Sequence, residues 1–294
     1  MKHKTFSGVT TALITPFLNQ KWDKKSFLKL LNFQIKQGIK SFVLASTTGE
    51  NPTLEDHEIK EICKSFHDFK ETLNLDLKLI LATGSFSTKQ SINKTKKAID
   101  LGADAVLVVT PYYNKPPQKG LILHFEKIAK VSSLPLILYN VPARTACDLT
   151  LSSIKTLSQI DNIIGIKEAT GDISFLKLLK KELPEDFLLL SGDDLSCVEF
   201  FSNGGHGAIS AGANILAKEL IEVFQEKTSQ KAKLFKRYQV FLEDLFKETN
   251  PIGVKQILHS YSLIQSPELR EPLVFCKNPE LEKSFQKLNK NMEI

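Results

Sequence analysis

Lys167 closes an apolar run, Ile163-Ile164-Gly165-Ile166, whereas most other lysines of the chain are spread along the polar faces of predicted helices. An amine in an apolar setting is disfavoured as the ammonium ion, and the neutral amine can attack a carbonyl to form a Schiff base. The competing reading is a lysine whose stem covers apolar surface while its head reaches water or an acid. On position alone the two readings stand level, since fully buried lysines are rare. Thr47 and Thr48 offer two hydroxyls and, with Gly49, adjacent backbone N–H groups at a strand-to-helix turn, a seat suited to a small carboxylate. Taken alone, T-T-G-E reads as an ordinary N-cap and turn. Tyr139 and Tyr113 are phenols able to pass protons to and from a carbinolamine, although a buried tyrosine more often only packs and hydrogen-bonds. Asp193 and Asp194 read as helix caps, and His206 reads as structural.

What must position these residues is a series of short apolar runs, each followed by a turn-like cluster and then by an amphipathic segment. Strands are expected at Val9 to Ile14, Ser41 to Ala45, Lys78 to Ala82, Ala105 to Val109, Leu134 to Tyr139, Ile163 to Lys167, Leu188 to Ser191 and Gly207 to Ser210. Helical patterns lie between them, as at Ser26 to Gln37, Leu54 to Glu71, Thr88 to Leu101 and Ser174 to Leu183, several opened by Ser, Thr or Asp. Eight such βα units, with no G-x-G-x-x-G, favour an α/β chain folded as a (β/α)8 TIM barrel over a doubly wound sheet. The barrel is expected over residues 1–226. Residues 227–294 are expected to form a helical appendage, with helices at 229–247, 251–264 and 278–290. In such a barrel chemistry sits at the C-terminal strand ends. Those ends carry Ser46 to Glu50, Thr110 to Asn114, Tyr139 to Pro142 with Arg144 two residues on, Lys167-Glu168, Ser191 to Asp194 and Ile209-Ser210.

Composition narrows the classes of function. A chain of 294 residues with 42% hydrophobic and 24% charged content is globular, neither disordered nor collagen-like. Of its 39 basic residues only Arg144, Arg237 and Arg270 are arginine, and the lysines are interleaved with acids along helices. That is a compositional drift and not the one-sided basic face a nucleic acid needs, so no nucleic-acid partner is expected. Cys63, Cys147, Cys197 and Cys276 form no C-x-x-C pair, and the histidines show no H-E-x-x-H or paired spacing, so neither a disulfide framework nor a metal site is expected. No stretch approaches the roughly 18 to 20 apolar residues of a membrane span, and no leader pattern is seen. A cytoplasmic protein is expected.

The strings T-T-G-E at 47–50, T-P-Y-Y-N-K-P at 110–116, Y-N-V-P-A-R-T at 139–145, G-I-K-E-A-T-G at 165–171, S-G-D-D at 191–194 and G-G-H-G-A-I-S at 204–210 closely resemble the 4-hydroxy-tetrahydrodipicolinate synthase (dihydrodipicolinate synthase) family. Their order and spacing match over the whole barrel. N-P-I-G-V-K at 250–255 follows more loosely, with Gly253 where proline is common. The resemblance implies a lyase that condenses pyruvate with L-aspartate 4-semialdehyde in the diaminopimelate route to lysine, with no cofactor. It implies that Lys167 forms an imine with pyruvate, that Thr47, Tyr139 and Tyr113 relay protons, and that Tyr113 does so from a neighbouring subunit. Thr48 would hold the pyruvate carboxylate, Arg144 the carboxylate of the semialdehyde, and Gly192 and Ile209 would line the site through backbone groups. A homo-oligomer follows, either a dimer or a dimer of dimers.

The nearest alternatives within that superfamily are N-acetylneuraminate lyase and a 2-keto-3-deoxy sugar acid aldolase, which share Lys167 and Tyr139. Arg144 favours the synthase, because a small carboxylate calls for a two-pronged cation where a sugar chain calls for hydroxyls and amides. The alternative from another class is a non-catalytic ligand-binding barrel. The presence of the lysine and its relay partners disfavours it. Finally, the segments that form a lysine-binding pocket in regulated members carry Asp56 and Ile59 where histidines are usual, and Phe86 and Gln90 in place of an amide and a carboxylate. Weak or absent inhibition by lysine is expected.

Overall fold

The computed structural model describes residues 4–289. The sequence's apolar runs become the strands β1 (Gly8–Ala12), β4 (Ser41–Leu44), β5 (Lys78–Ala82), β6 (Ala105–Val109), β7 (Leu136–Asn140), β8 (Ile163–Glu168), β9 (Leu188–Ser191) and β10 (Gly207–Ser210); β2 (Phe17–Leu18) and β3 (Lys21–Trp22) form a separate antiparallel hairpin. The eight long strands close a barrel in the order β1-β10-β9-β8-β7-β6-β5-β4, the (β/α)8 architecture read from the sequence. Every residue of β4, β7, β8, β9 and β10 is buried. That is why these segments are continuous apolar runs: a parallel strand covered on both faces has no solvent side on which to alternate.

The intervening helices start where the sequence offers caps. Asp23 accepts from the Ser26 N–H ahead of Lys24–Lys36, Ser87 opens Thr88–Asp100, and Asp172 accepts from the N–H groups of Ser174 and Phe175 at the start of Ile173–Glu182. Asp56–Thr72 is opened by a capping box of Glu55 and Glu58. Beyond the barrel run Thr228–Leu245, Ile252–Ser260 and Pro279–Asn289. The middle helix stops short of the expected residue 264, because Ser262 takes a positive φ of 57°. Residues 290–294 of the expected appendage lie outside the described residues. Among the described residues no helix is long and apolar enough to cross a membrane.

Two compact units divide the described chain. One takes the residues up to Thr10 and Lys78–Ile209; the other takes Thr11–Leu77 and the chain from Ser210 onward.

Candidate active site

Within the first unit, β7 and β8 run side by side with Tyr139 in register with Lys167 and Asn140 with Glu168. The period of two sends the first pair to one face of the sheet and the second pair to the other. Lys167 is only 6% exposed, and its Nζ lies 4.3 Å above the centroid of the Tyr139 ring. Gly192 makes room for this lysine: a β-carbon there would stand 2.8 Å from Lys167 Cε and 2.8 Å from Ala169 Cβ. The Gly192 N–H donates to the Glu168 carbonyl at 2.7 Å, fixing the start of the loop after β9 against the end of β8.

On the opposite face Asn140, fully buried, gathers the neighbouring loops. Its Nδ2 donates to Asp148 Oδ1 at 2.7 Å and to Glu168 Oε2 at 2.9 Å, and its Oδ1 accepts from the Leu149 N–H at 3.1 Å. Glu168 Oε1 accepts from the Thr170 N–H at 2.7 Å. Burial pushes the Glu168 carboxyl above the usual carboxylate range, against the hydrogen bond from Asn140. The segment so held carries Arg144 on a single helical turn, Pro142–Thr145, where the side chain is exposed. The buried Thr145 hydroxyl donates to carbonyls at Val141 and Cys147 and anchors that turn.

The second unit holds the T-T-G-E turn. Glu50 N–H donates to the Thr47 carbonyl, Thr15 Oγ1 donates to the Gly49 carbonyl at 2.7 Å, and Asn250 Nδ2 donates to Thr48 Oγ1 at 2.9 Å. Thr48 is buried and Thr47 half-buried. Of the remaining expected residues, Ile209 is buried on β10, while Tyr113, at φ 73°, is 91% exposed after β6. Asp193 and Asp194 do not cap the following helix Cys197–Ser202, whose N-cap is Ser196; Asp193 Oδ2 instead accepts from the N–H and hydroxyl of Ser196 and holds the turn before it. His206 is structural as expected, its Nδ1 accepting from the Leu189 N–H at 2.9 Å.

The sequence reading missed the roles of Asn140 and Glu168. The available signal was the strand period, which sets each of them one residue beyond a site residue and therefore on the supporting face. It also missed the one-turn helix under Arg144, which Pro142 in its first turn announces. Glu50 and Lys255 close the strings T-T-G-E and N-P-I-G-V-K, and Arg270 is one of three arginines, but nothing local shows that they meet. Among the described residues no group of three or more His, Cys, Asp or Glu side chains is arranged to hold a metal ion. A buried amine over a phenol is equipped to add to a carbonyl and form an imine.

The sequence pattern of the Dihydrodipicolinate synthetase family matches residues 5–291. A 4-hydroxy-tetrahydrodipicolinate synthase of Bdellovibrio bacteriovorus is 42% identical over 275 residues, 92% of this chain and 93% of its own. One of Buchnera aphidicola is 40% identical over 293 residues, 97% and 98% of the two chains. Among solved structures, a chloride-inhibited dihydrodipicolinate synthase of Acinetobacter baumannii in complex with pyruvate superposes with a TM-score of 0.89 at 39% identity, covering 97% of this chain and 98% of that one.

Proposed function

Because this chain belongs to the dihydrodipicolinate synthetase family, we propose that it condenses pyruvate with L-aspartate 4-semialdehyde through an imine on Lys167, as a lyase of lysine and diaminopimelate biosynthesis. One observation carries the assignment of Lys167: its amine is buried at the end of β8 and stands 4.3 Å over the Tyr139 ring, in space that only a glycine at 192 leaves open.

The Lys167 amine adds to the keto carbon of pyruvate, whose carboxylate is held by Thr48. Thr47, Tyr139 and Tyr113 move protons as the carbinolamine loses water to give the imine. The methyl carbon then loses a proton, and the protonated imine takes up the electron pair, so the enamine forms without a cofactor. The enamine carbon attacks the aldehyde carbon of the second substrate, making the new carbon–carbon bond while Arg144 binds that substrate's carboxylate through its planar fork. The amino group of the adduct then attacks the imine carbon, closing the ring and expelling the Lys167 amine. Gly192 and Ile209 line the path with backbone groups.

Tyr113 is 91% exposed on its own chain, in keeping with a role in the relay of a neighbouring subunit. The smallest active unit is therefore a two-fold dimer, alone or paired into a dimer of dimers. Its cysteines are free, and we assign it to the cytoplasm, where thiols stay reduced.

Borohydride reduction with pyruvate, followed by mapping of the modified residue, tests this reading. Pyruvate is expected on Lys167, and Lys167→Ala is expected to abolish trapping. Arg144→Ala should trap pyruvate normally and lose turnover with the semialdehyde. Absence of pyruvate on Lys167 would sink the mechanism, and equal loss of both properties in Arg144→Ala would make that arginine a support of the fold.

A further inference from the structure

The T-T-G-E turn is fastened by side chains that lie some 200 residues away in sequence and that the condensation does not use. Lys255 is fully buried; its ammonium is 2.5 Å from Glu50 Oε1, donates to the Glu268 carbonyl at 2.7 Å and lies 4.3 Å over the Phe17 ring. Arg270 Cζ lies 4.2 Å over the same ring. Its guanidinium grips Glu58 through both terminal nitrogens, at 2.7 and 2.5 Å, and donates to the carbonyls of Thr53 and Gln20. The Arg270 backbone N–H donates to Glu50 Oε2 at 2.9 Å, so each oxygen of the Glu50 carboxylate is held. Asn250, five residues before Lys255, reaches Thr48 itself. All of these residues belong to the second unit.

Glu50 needs such holding. It sits at φ 54° and ψ 39°, a left-handed conformation that a β-carbon disfavours and that persists only where the surroundings over-determine it. A buried ion pair is a poor device for stability alone, because desolvating two charges offsets most of their attraction. Burial in fact pushes the Lys255 amine down to about 8, against the pull of Glu50. The arrangement is intelligible if it fixes geometry. Asn250 adds polarity: an amide N–H given to Thr48 Oγ1 occupies a lone pair of the hydroxyl and leaves its proton to be donated elsewhere, which is what a carboxylate requires.

We propose that Asn250, Lys255 and Arg270 are positioning residues for pyruvate, locking the Thr47–Thr48 turn and presenting the Thr48 hydroxyl as a donor to the substrate carboxylate. The inference rests on the reading of Lys167 and Thr48 given above. The recognition of the keto acid thus depends on a part of the chain, 250–270, that contributes no reacting group.

The test measures the pyruvate concentration that half-saturates borohydride trapping on Lys167, together with the semialdehyde KM and the melting temperature. Asn250→Asp keeps the shape of the side chain and turns the donor into an acceptor. It is expected to raise the half-saturating pyruvate about tenfold, the worth of one hydrogen bond, with the semialdehyde KM and melting temperature retained. Glu50→Gln with Lys255→Met removes both charges in similar volumes and is expected to raise the same concentration severalfold; should that pair fail to fold, Asn250→Asp and Asn250→Ala decide. Unchanged half-saturation in the Asn250 variants overturns the inference. So does a fall in melting temperature with equal weakening toward both substrates, which would make these residues general supports. Failure of the unaltered enzyme to trap pyruvate overturns the reading of Lys167 instead.

Discussion

At Gly192 the missing side chain is what the site requires. A β-carbon would meet the Lys167 stem at Cε and Cγ, 2.8 and 3.0 Å away, with Ala169 Cβ at 2.8 Å blocking retreat. Gly192→Ala should therefore push the amine off its station over Tyr139 and slow single-turnover trapping of pyruvate about a hundredfold, the cost of misplacing a reacting group by an ångström or so. The circular dichroism spectrum should be unchanged, since the strands need not move; trapping at the ordinary rate would show that the stem adapts. The resemblance through S-G-D-D implied only a backbone role for Gly192; the steric constraint was not legible, because the atoms a β-carbon would meet belong to Lys167 and Ala169, 25 and 23 residues earlier. The arginines divide the same way. Their scarcity in a lysine-rich chain pointed to Arg144, and the same logic of a planar fork applies to Arg270, whose bidentate partner is Glu58. Nothing near Arg270 in sequence reveals a partner 212 residues away.

Among elements, the barrel strands were the most legible because burial on both faces writes most of them as largely apolar runs, β1 (Gly-Val-Thr-Thr-Ala) being the most polar. The β2–β3 hairpin was not. Its strands are two residues each, and its turn, Asn19 and Gln20 at φ 52° and 61°, is held by the Glu268 carboxylate, which accepts from both N–H groups. A turn stabilised from so far along the chain leaves no local pattern beyond a left-handed-tolerant asparagine. Helix packing also yields a pH dependence. His124 on Gln118–Val131 is buried beside Thr88, with Nδ1 3.0 Å from the Thr88 hydroxyl, and burial lowers its pKa from 6.5 to about 4. Between those values the unfolded chain binds the proton and the folded chain does not, so stability is complete above about pH 6.5 and is lost as the pH falls toward 4. The loss amounts to about 2 kcal/mol at pH 5. His124→Gln should lower the melting temperature at pH 7 and lose less on going to pH 5 than the unaltered protein does. An equal loss in both would assign the acid sensitivity to other groups.

For the whole molecule, the formal charge is +6, and exposed pairs such as Lys64–Asp68, Lys155–Glu182 and Lys283–Glu280 individually add little. The loop after β5 is where the resemblance to lysine-regulated members of the family was expected to fail. Phe86 is half-exposed, sets its ring edge-on to Tyr112 at 5.5 Å, and its carbonyl accepts from Asn114 Nδ2 at 3.0 Å. The Gln90 Oε1 already accepts from the Ser85 hydroxyl at 2.7 Å. An ammonium effector docking here would lose water and gain, from these two positions, only a phenyl ring and a committed neutral amide. A cation over a ring recovers some of that loss, but without a counter-charge the ligand's own carboxylate and α-amine are left to find partners elsewhere. Turnover at saturating pyruvate and semialdehyde should therefore stay constant as free lysine is raised into the low-millimolar range, with no heat of binding by calorimetry. Inhibition in that range, with lysine seated beside Tyr112, would mean that a ring and a neutral amide can replace a carboxylate, and that charge at this position does not set the sensitivity.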